Sequence, residues 1–281
     1  MEIKNSTSII CACKNRSNTL NVSLQSWIKH PEILEIIIVD WSSDESLEYL
    51  KKFDDRIKII AVSNEKYFNM PQPLNLAASI ASGDKLLIMS VDYVFNPYDE
   101  FSFFKRYDVS EDSFLCGEIE SQDSLITNPL FKYLRGILYV TKDNFIKIGG
   151  YNENYGIYYG NDDGEIEHRL ELLGLKKNKL DLDYTIFHIP HTNKKRVENF
   201  EAYSTNEDIQ NNIRNELSQY YSGNELEWQV EYLLTERHIF INMQQPLMDN
   251  YYSQSNVKWD ITQTEEQIYI AVKNVSGGND K

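Results

Sequence analysis

Four short apolar runs, each separated from the next by a helix-patterned stretch, occupy the first hundred residues, and this alternation restricts the fold more than any other feature of the chain. Thr7–Ala12, Ile36–Val39, Ile57–Val62 and Leu86–Met89 are too short for buried helices. They are rich in Ile, Leu and Val, the pattern of strands covered on both faces. Between them, Ser17 is placed to cap a helix reaching about Trp27, with Leu20, Leu24 and Trp27 on one face. Ser43 is placed to cap a second helix carrying Leu47 and Leu50. Pro71–Ser82 reads as a third, stopped by Gly83. The βαβαβαβ order implies a mainly parallel α/β sheet flanked by helices on both faces. Ligands of such sheets bind beyond the carboxyl ends of the strands, where Asn15, Arg16, Asp40 and Asp92 fall.

Beyond about residue 97 the alternation loosens. Ser113–Gly117, Gly136–Val140 and Tyr184–Ile189 read as strands, Lys142–Ile148 as a short helix, and Asp163–Leu173 as a helix stopped by Gly174. From about Lys194 the chain turns polar. Asn206–Tyr221 and Leu226–Leu234 read as helices, Thr262–Val272 as a last strand pair or helix, and Ser276–Lys281 as a frayed tail. The expected organisation is one domain over 1–195 and a mostly helical appendage over 196–281.

The chain has 281 residues, 12% of them aromatic, which favours a packed globular protein. Its 28 Lys and Arg against 43 Asp and Glu give a net charge of −15, which argues against broad nucleic-acid binding. Cys11 and Cys13 would share a strand face with Cα atoms about 6.6 Å apart, at the far edge of disulfide geometry. A reduced, cytoplasmic protein is expected. No run approaches the length of a membrane span, and a strand by Thr7 leaves no room for a signal peptide. Peripheral membrane contact stays open.

Several polar groupings carry chemistry. The Cys13–Arg16 segment, between a strand and a helix start, suits an anion or a nucleotide base, or is an ordinary solvated connection. Asp40 at a strand end can accept from a base N–H or a ribose hydroxyl, or serve the turn that Ser43 and Asp44 begin. Ser90-Val91-Asp92 can hold a divalent cation that bridges a diphosphate, or be a solvated loop. Asp162 and Asp163 open a helix whose dipole keeps a carboxylate ionised, as a general base requires, although one Asp is expected there as a cap. His188, in the spacing His188-x-x-His191, follows a strand and suits a metal, or is a satisfied histidine.

In their order these groupings resemble a known family. Ser8–Arg16, Glu35–Asp44, Asn75–Gly83 and Ser90–Asp92 resemble the nucleotide-sugar half (1–97) of family 2 glycosyltransferases of the GT-A fold. Residues 98–195 resemble a galactosyltransferase-type second half, through Gly149–Glu153, Tyr158-Tyr159-Gly160, Asn161-Asp162-Asp163 and Arg169. The resemblance covers roughly residues 6 to 195. It implies that Cys13, Asn15, Arg16 and Asp40 hold the uridine and that Asn75 lies near the donor. Ser90-Val91-Asp92 stands in place of the family's DxD motif. The resemblance further implies that Asp162 is the catalytic base, that Asp163 binds the acceptor, that Tyr158 packs on the sugars and that His188 ligates the metal with Asp92. Ser90 replaces the first Asp of DxD, Asn161 replaces a Glu and Tyr159 replaces a loop glycine.

The expectation is therefore an inverting glycosyltransferase that moves a hexose or N-acetylhexosamine from a UDP-sugar to a hydroxyl of a glycan or glycolipid, as in polysaccharide biosynthesis. Mn²⁺ or Mg²⁺ is the expected cofactor, nucleic acid is not a partner, and a homo-oligomer stays open. The alternatives are a non-catalytic sugar- or nucleotide-binding module and a nucleotidyltransferase. The Cys13–Ser17 loop has no glycine, which counts against the latter.

Overall fold

A computed structural model describes residues 7–96, 102–117, 134–153, 162–180, 185–189, 191 and 198–200, and the strand backbones at 258–263 and 268–273. The helices expected at 206–221 and 226–234 and the tail lie outside the described residues, as do Tyr158–Asn161. In chain order the elements begin β1 (Thr7–Cys13), α1 (Ser17–Trp27), β2 (Ile33–Trp41), a 3₁₀ turn (Glu48–Phe53), β3 (Ile57–Ser63), α2 (Pro71–Ile80), β4 (Lys85–Ile88) and β5 (Tyr93–Phe95). They continue α3 (Phe103–Arg106), β6 (Ser113–Cys116), β7 (Leu138–Thr141), α4 (Lys142–Lys147), α5 (Asp162–Leu172), β8 (Lys176–Lys179), β9 (Ile186–His188), β10 (Lys258–Gln263) and β11 (Ile268–Lys273).

The sheet runs β10-β11-β3-β2-β1-β4-β7-β6-β8, and β5 pairs with β9 beside it. From β11 to β4 neighbours are parallel, and β7 enters antiparallel. This is the mixed, mainly parallel α/β sheet that the alternation implies. Side-chain period two divides each strand between two cores. Ile10, Ile37, Val39, Ile60 and Leu86 meet Leu74, Ala77 and Ala78 of α2 on one face. Ile9, Cys11, Ile36, Ile38 and Leu87 meet Leu20, Leu24 and Trp27 of α1 on the other. All three cysteines are free and buried.

Some expectations are corrected. Ser43 starts no helix: Asp40 accepts from the Ser43 and Leu47 amides, which holds 43–47 as a loop, and only a 3₁₀ turn follows. Arg16, not Ser17, occupies the α1 cap position. The described part of the C-terminal region is a hairpin, β10–β11, that extends the sheet beside β3.

Near the amino end of the central strand β2 lies Glu35, a buried acid in an apolar strand. Its Oε1 accepts from Ser8 Oγ (2.6 Å), Ser82 N (2.6 Å) and Ser82 Oγ (2.9 Å), and Lys58 donates to Oε2. These donors outweigh burial and hold its carboxyl below the usual range. Such a carboxylate stabilises the fold above its unfolded pKa, and the contribution is lost as pH falls. Glu35→Ala leaves Ser8 and the Ser82 amide without an acceptor. It should cost about 1–3 kcal/mol in chemical denaturation at neutral pH. Lys58→Ala should cost little, because its side chain is 52% exposed. Equal losses would show that the ion pair, not the buried hydrogen bonds, matters.

Candidate functional site

The carboxyl ends of β1, β2 and β4 meet in a knot of loops. After β1, Lys14 runs inward, and its Nζ donates to the carbonyls of Trp41 (3.1 Å), Ser42 (2.7 Å) and Glu65 (2.9 Å). All three ammonium donors are met, so Lys14 stitches the loops together and is not solvated. Asn15 adopts a left-handed backbone (φ 55°), donates its amide to Ser43 Oγ and accepts from Asp44 N at Oδ1. Cys13 is buried, and burial pushes its thiol up to about 12, so its side chain is inert. Asp40 is buried at the end of β2, each oxygen accepting one amide of the 43–47 loop. Asn199 Nδ2 donates to the Lys14 carbonyl (3.1 Å) across this knot, and the Asn199 carbonyl accepts from Phe68 N (2.6 Å).

The Ser90–Tyr93 turn is fixed from three sides. Ser23 Oγ donates to the Val91 carbonyl, Trp27 Nε1 to the Tyr93 carbonyl, and Ile189 N to the Asp92 carbonyl. Ser90 is partly exposed; Val91 and Asp92 are buried. Asp92 Oδ2 lies 3.0 Å from Arg16 Nη2, 3.0 Å from His191 Nε2 and 3.7 Å from His188 Nε2, and the two imidazole nitrogens are 3.3 Å apart. Burial would raise the Asp92 pKa, but the two histidines and Arg16 outweigh it and hold the carboxyl well below the usual range. The donor set fits a divalent cation: ligands at right angles on bonds of about 2.1 Å stand about 3 Å apart. Asp92 and His188, the two ligands expected from the sequence, come together, and His191 joins them as a third.

The second part of the site hangs on the Gly149–Tyr151 turn. Asn75 of α2 is fully buried; its Nδ2 donates to the Tyr151 carbonyl (2.9 Å) and to Glu153 Oε1 (2.8 Å), and its Oδ1 accepts from Tyr151 N (2.8 Å). Its amide is thus committed to the turn. Gly150 has φ +68°, and a Cβ there would lie 2.5 Å from Asn75 Oδ1, so only glycine fits. From the other side Arg169 of α5 donates through Nη1 to the carbonyls of Ile148 and Gly150, both at 2.7 Å. It is itself held by Glu165 through two bonds of 2.6 Å. The turn therefore fixes α5 and the acids at its start.

Asp162 is 6% exposed and Asp163 partly buried, and Asp162 Oδ2 and Asp163 Oδ1 have no hydrogen-bond partner. Burial, then the charge of Glu165, pushes Asp162 up to about 6. Burial, then Asp162 and Glu167, also raises Asp163 above the carboxylate range, while Arg135 opposes the shift at both acids. Tyr93 links the pair to the Asp92 cluster. It neighbours Asp92, pairs with His188 across β5–β9, and donates its hydroxyl to the Arg135 carbonyl. The Cβ position of Gly136 lies 3.7 Å from that hydroxyl and 3.5 Å from Asp163 Oδ2. Tyr93, His191 and Arg135 had no role assigned from the sequence. The His188-x-x-His191 spacing was visible, but nothing in the chain pattern ties Tyr93 or Arg135 to the acids.

A carboxyl whose folded pKa lies above its unfolded one favours the folded state in its protonated form, so its contribution to stability declines as pH rises from about 4 through about 6. Asp162→Asn removes the ionisation. It should raise stability at pH 7 by about 1–2 kcal/mol, with a smaller gain near pH 4, in thermal unfolding across pH. A stability difference independent of pH would show that burial does not strain this carboxylate.

A family model described as glycosyl transferase family 2 matches residues 8–152. A second, described as the N-terminal domain of galactosyltransferase, matches residues 118–194. No curated protein sequence shows significant similarity to the chain. Among solved structures, Staphylococcus aureus TarS 1–349 is 13% identical over 88% of this chain and 78% of its own, with a TM-score of 0.53. The same fragment in complex with UDP-GlcNAc is 16% identical over 89% and 73%, with a TM-score of 0.54. GalNAc-T7 with UDP, GalNAc and Mn²⁺ is 16% identical over 67% of this chain and 44% of its own, with a TM-score of 0.52. These likenesses establish the shared fold.

Proposed function

The chain belongs to glycosyl transferase family 2, and on that premise we propose that it is an inverting transferase that moves a hexose or N-acetylhexosamine from a UDP-sugar to a glycan hydroxyl. The observation that carries this reading is the junction at Tyr93: a ligand set fit for a diphosphate-bound cation and a pair of strained carboxyls lie on either side of one buried side chain. A transferase needs both, one for the leaving group and one for the attacking hydroxyl. The UDP-GlcNAc bound by TarS and the UDP and Mn²⁺ bound by GalNAc-T7 support the donor class and the cation.

In this reading the backbone of the Cys13–Arg16 loop and the Asp40 end of β2 seat the uridine. Asn75 acts by fixing the Gly149–Tyr151 turn against the donor. Asp92, His188 and His191 would hold Mn²⁺ or Mg²⁺, which when bound offsets charge on the departing diphosphate. Arg16, already beside Asp92, adds a fixed positive charge there. Asp162, its carboxyl pushed up to about 6 by burial, is ionised at neutral pH and serves as the base. It takes the proton of the acceptor hydroxyl as that oxygen bonds to the anomeric carbon. The bond to the diphosphate oxygen breaks on the opposite face, and UDP leaves with the electron pair. Asp163 binds a hydroxyl of the acceptor. Tyr158, outside the described residues, packs on the sugars in this reading. Among the described residues no helix is long and apolar enough to cross a membrane.

The test is turnover of UDP-sugars with Mn²⁺ and glycan acceptors, in the full chain and two variants. Asp162→Asn keeps the side-chain volume and loses the basic oxygen. It should lower kcat by about 10²-fold or more with little change in UDP affinity. Asp163→Asn should act mainly on acceptor KM. Near-normal turnover in Asp162→Asn with loss in Asp163→Asn would move the base by one residue. A chain that binds UDP and turns over no donor would be a binding module.

A further inference from the structure

Arg135 lies in the turn just ahead of β7 and is exposed, yet its guanidinium is lodged over the start of α5. A Cβ on Gly164 would stand 2.7 Å from Arg135 Nη2, so the helix has no side chain where the guanidinium rests. The next loop residue repeats the approach from the other direction. Gly136 has φ +101°, and its Cβ position lies 3.5 and 3.6 Å from the two oxygens of Asp163. Two glycines thus clear the contact between this loop and the acid pair. Tyr93 pins the loop backbone by donating to the Arg135 carbonyl.

The charges around Asp162 make this placement consequential. Among the described residues, α5 presents Asp163, Glu165 and Glu167, and the turn after α4 presents the buried hydroxyl of Tyr151. Arg169 is committed to Glu165 and to two carbonyls. Lys177 of β8 is committed to Glu167, so among the described residues Arg135, from the turn ahead of β7, is the cation that opposes the charge of Asp162 and Asp163.

We propose that Arg135 is a positioning residue for the acid pair: lodged over Gly164, its guanidinium favours the ionised form of Asp162, ready to accept the acceptor's proton. This rests on the reading of Asp162 as the base. Removing the cation leaves more net negative charge around the carboxylate, which then stays protonated to higher pH. Because Arg135 is exposed, salt screens its effect.

The test is a ¹³C-carboxyl titration of the full chain labelled at aspartate, with the Asp162 signal assigned through Asp162→Asn. Arg135→Met keeps the aliphatic stem and should raise the Asp162 midpoint by about 0.5–1, a difference that narrows at high ionic strength. Arg135→Lys should stay close to the parent, and Gly164→Ala, which displaces the guanidinium, should move the midpoint as Arg135→Met does. In transfer assays the acidic limb of kcat should move to higher pH by the same amount in Arg135→Met. An unmoved midpoint in Arg135→Met would overturn the proposal, as would equal shifts in Arg135→Met and Arg135→Lys. The titration needs no substrate, so a failure of the transferase reading and a failure of this one are told apart.

Discussion

One turn, Gly149–Tyr151, holds the two chemical parts of this molecule in a single frame. Asn75 grips it from α2 through two hydrogen bonds to Tyr151, and Arg169 grips it from α5 through two carbonyls. The first belongs to the half that carries the nucleotide loops, the second to the helix that carries the acids. Both side chains are buried and fully bonded, so neither can relax without leaving polar groups unmet in a dry interior. The left-handed glycines are what let the backbone pass between them. The distance from Asp92 to Asp162 follows from this joint and from Tyr93, and a transferase depends on such a distance.

Local charge departs sharply from the global one. The chain carries −15 overall, yet the carboxyl ends of β1 and β2 concentrate Lys14 and Arg16, both drawn inward. Lys14 is consumed by three carbonyls and serves as a rivet. Arg16 remains beside Asp92, where an anionic ligand would arrive. The second charged centre reverses the sign: α5 opens with carboxyls whose pKa burial raises. In the proposed reading the first centre meets a diphosphate and the second a hydroxyl proton, the separation that general-base transfer requires.

Much of this was legible in the sequence. The four parallel strands declared themselves because each is apolar on both faces, and α1 and α2 because their apolar residues recur every three or four positions. Asp92, His188 and Asp162 could be picked out because strand ends and helix starts are where ligands bind. Other features were hidden for physical reasons. β8 is Lys-Lys-Asn-Lys at a sheet edge, where no apolar alternation is needed. The 43–47 loop reads as a helix start until Asp40 is seen to take its amides. Asn75 reads as a donor contact, yet its role is to hold a turn 76 residues away in sequence. Tyr93 and Arg135 meet across 42 residues, and nothing local marks either. Long-range polar pairing of this kind leaves no periodicity to detect.

In the proposed reading Asp92, His188 and His191 share one cation with the donor's diphosphate. Calorimetric titration of Mn²⁺ into the protein, with and without UDP, tests it most directly. Three protein donors alone should bind the ion weakly, and UDP should complete the coordination, so Mn²⁺ should bind at least about tenfold tighter with UDP present. By reciprocity, UDP should gain the same factor from Mn²⁺, and His191→Ala should remove most of it. Equal Mn²⁺ affinity with and without UDP would contradict the account.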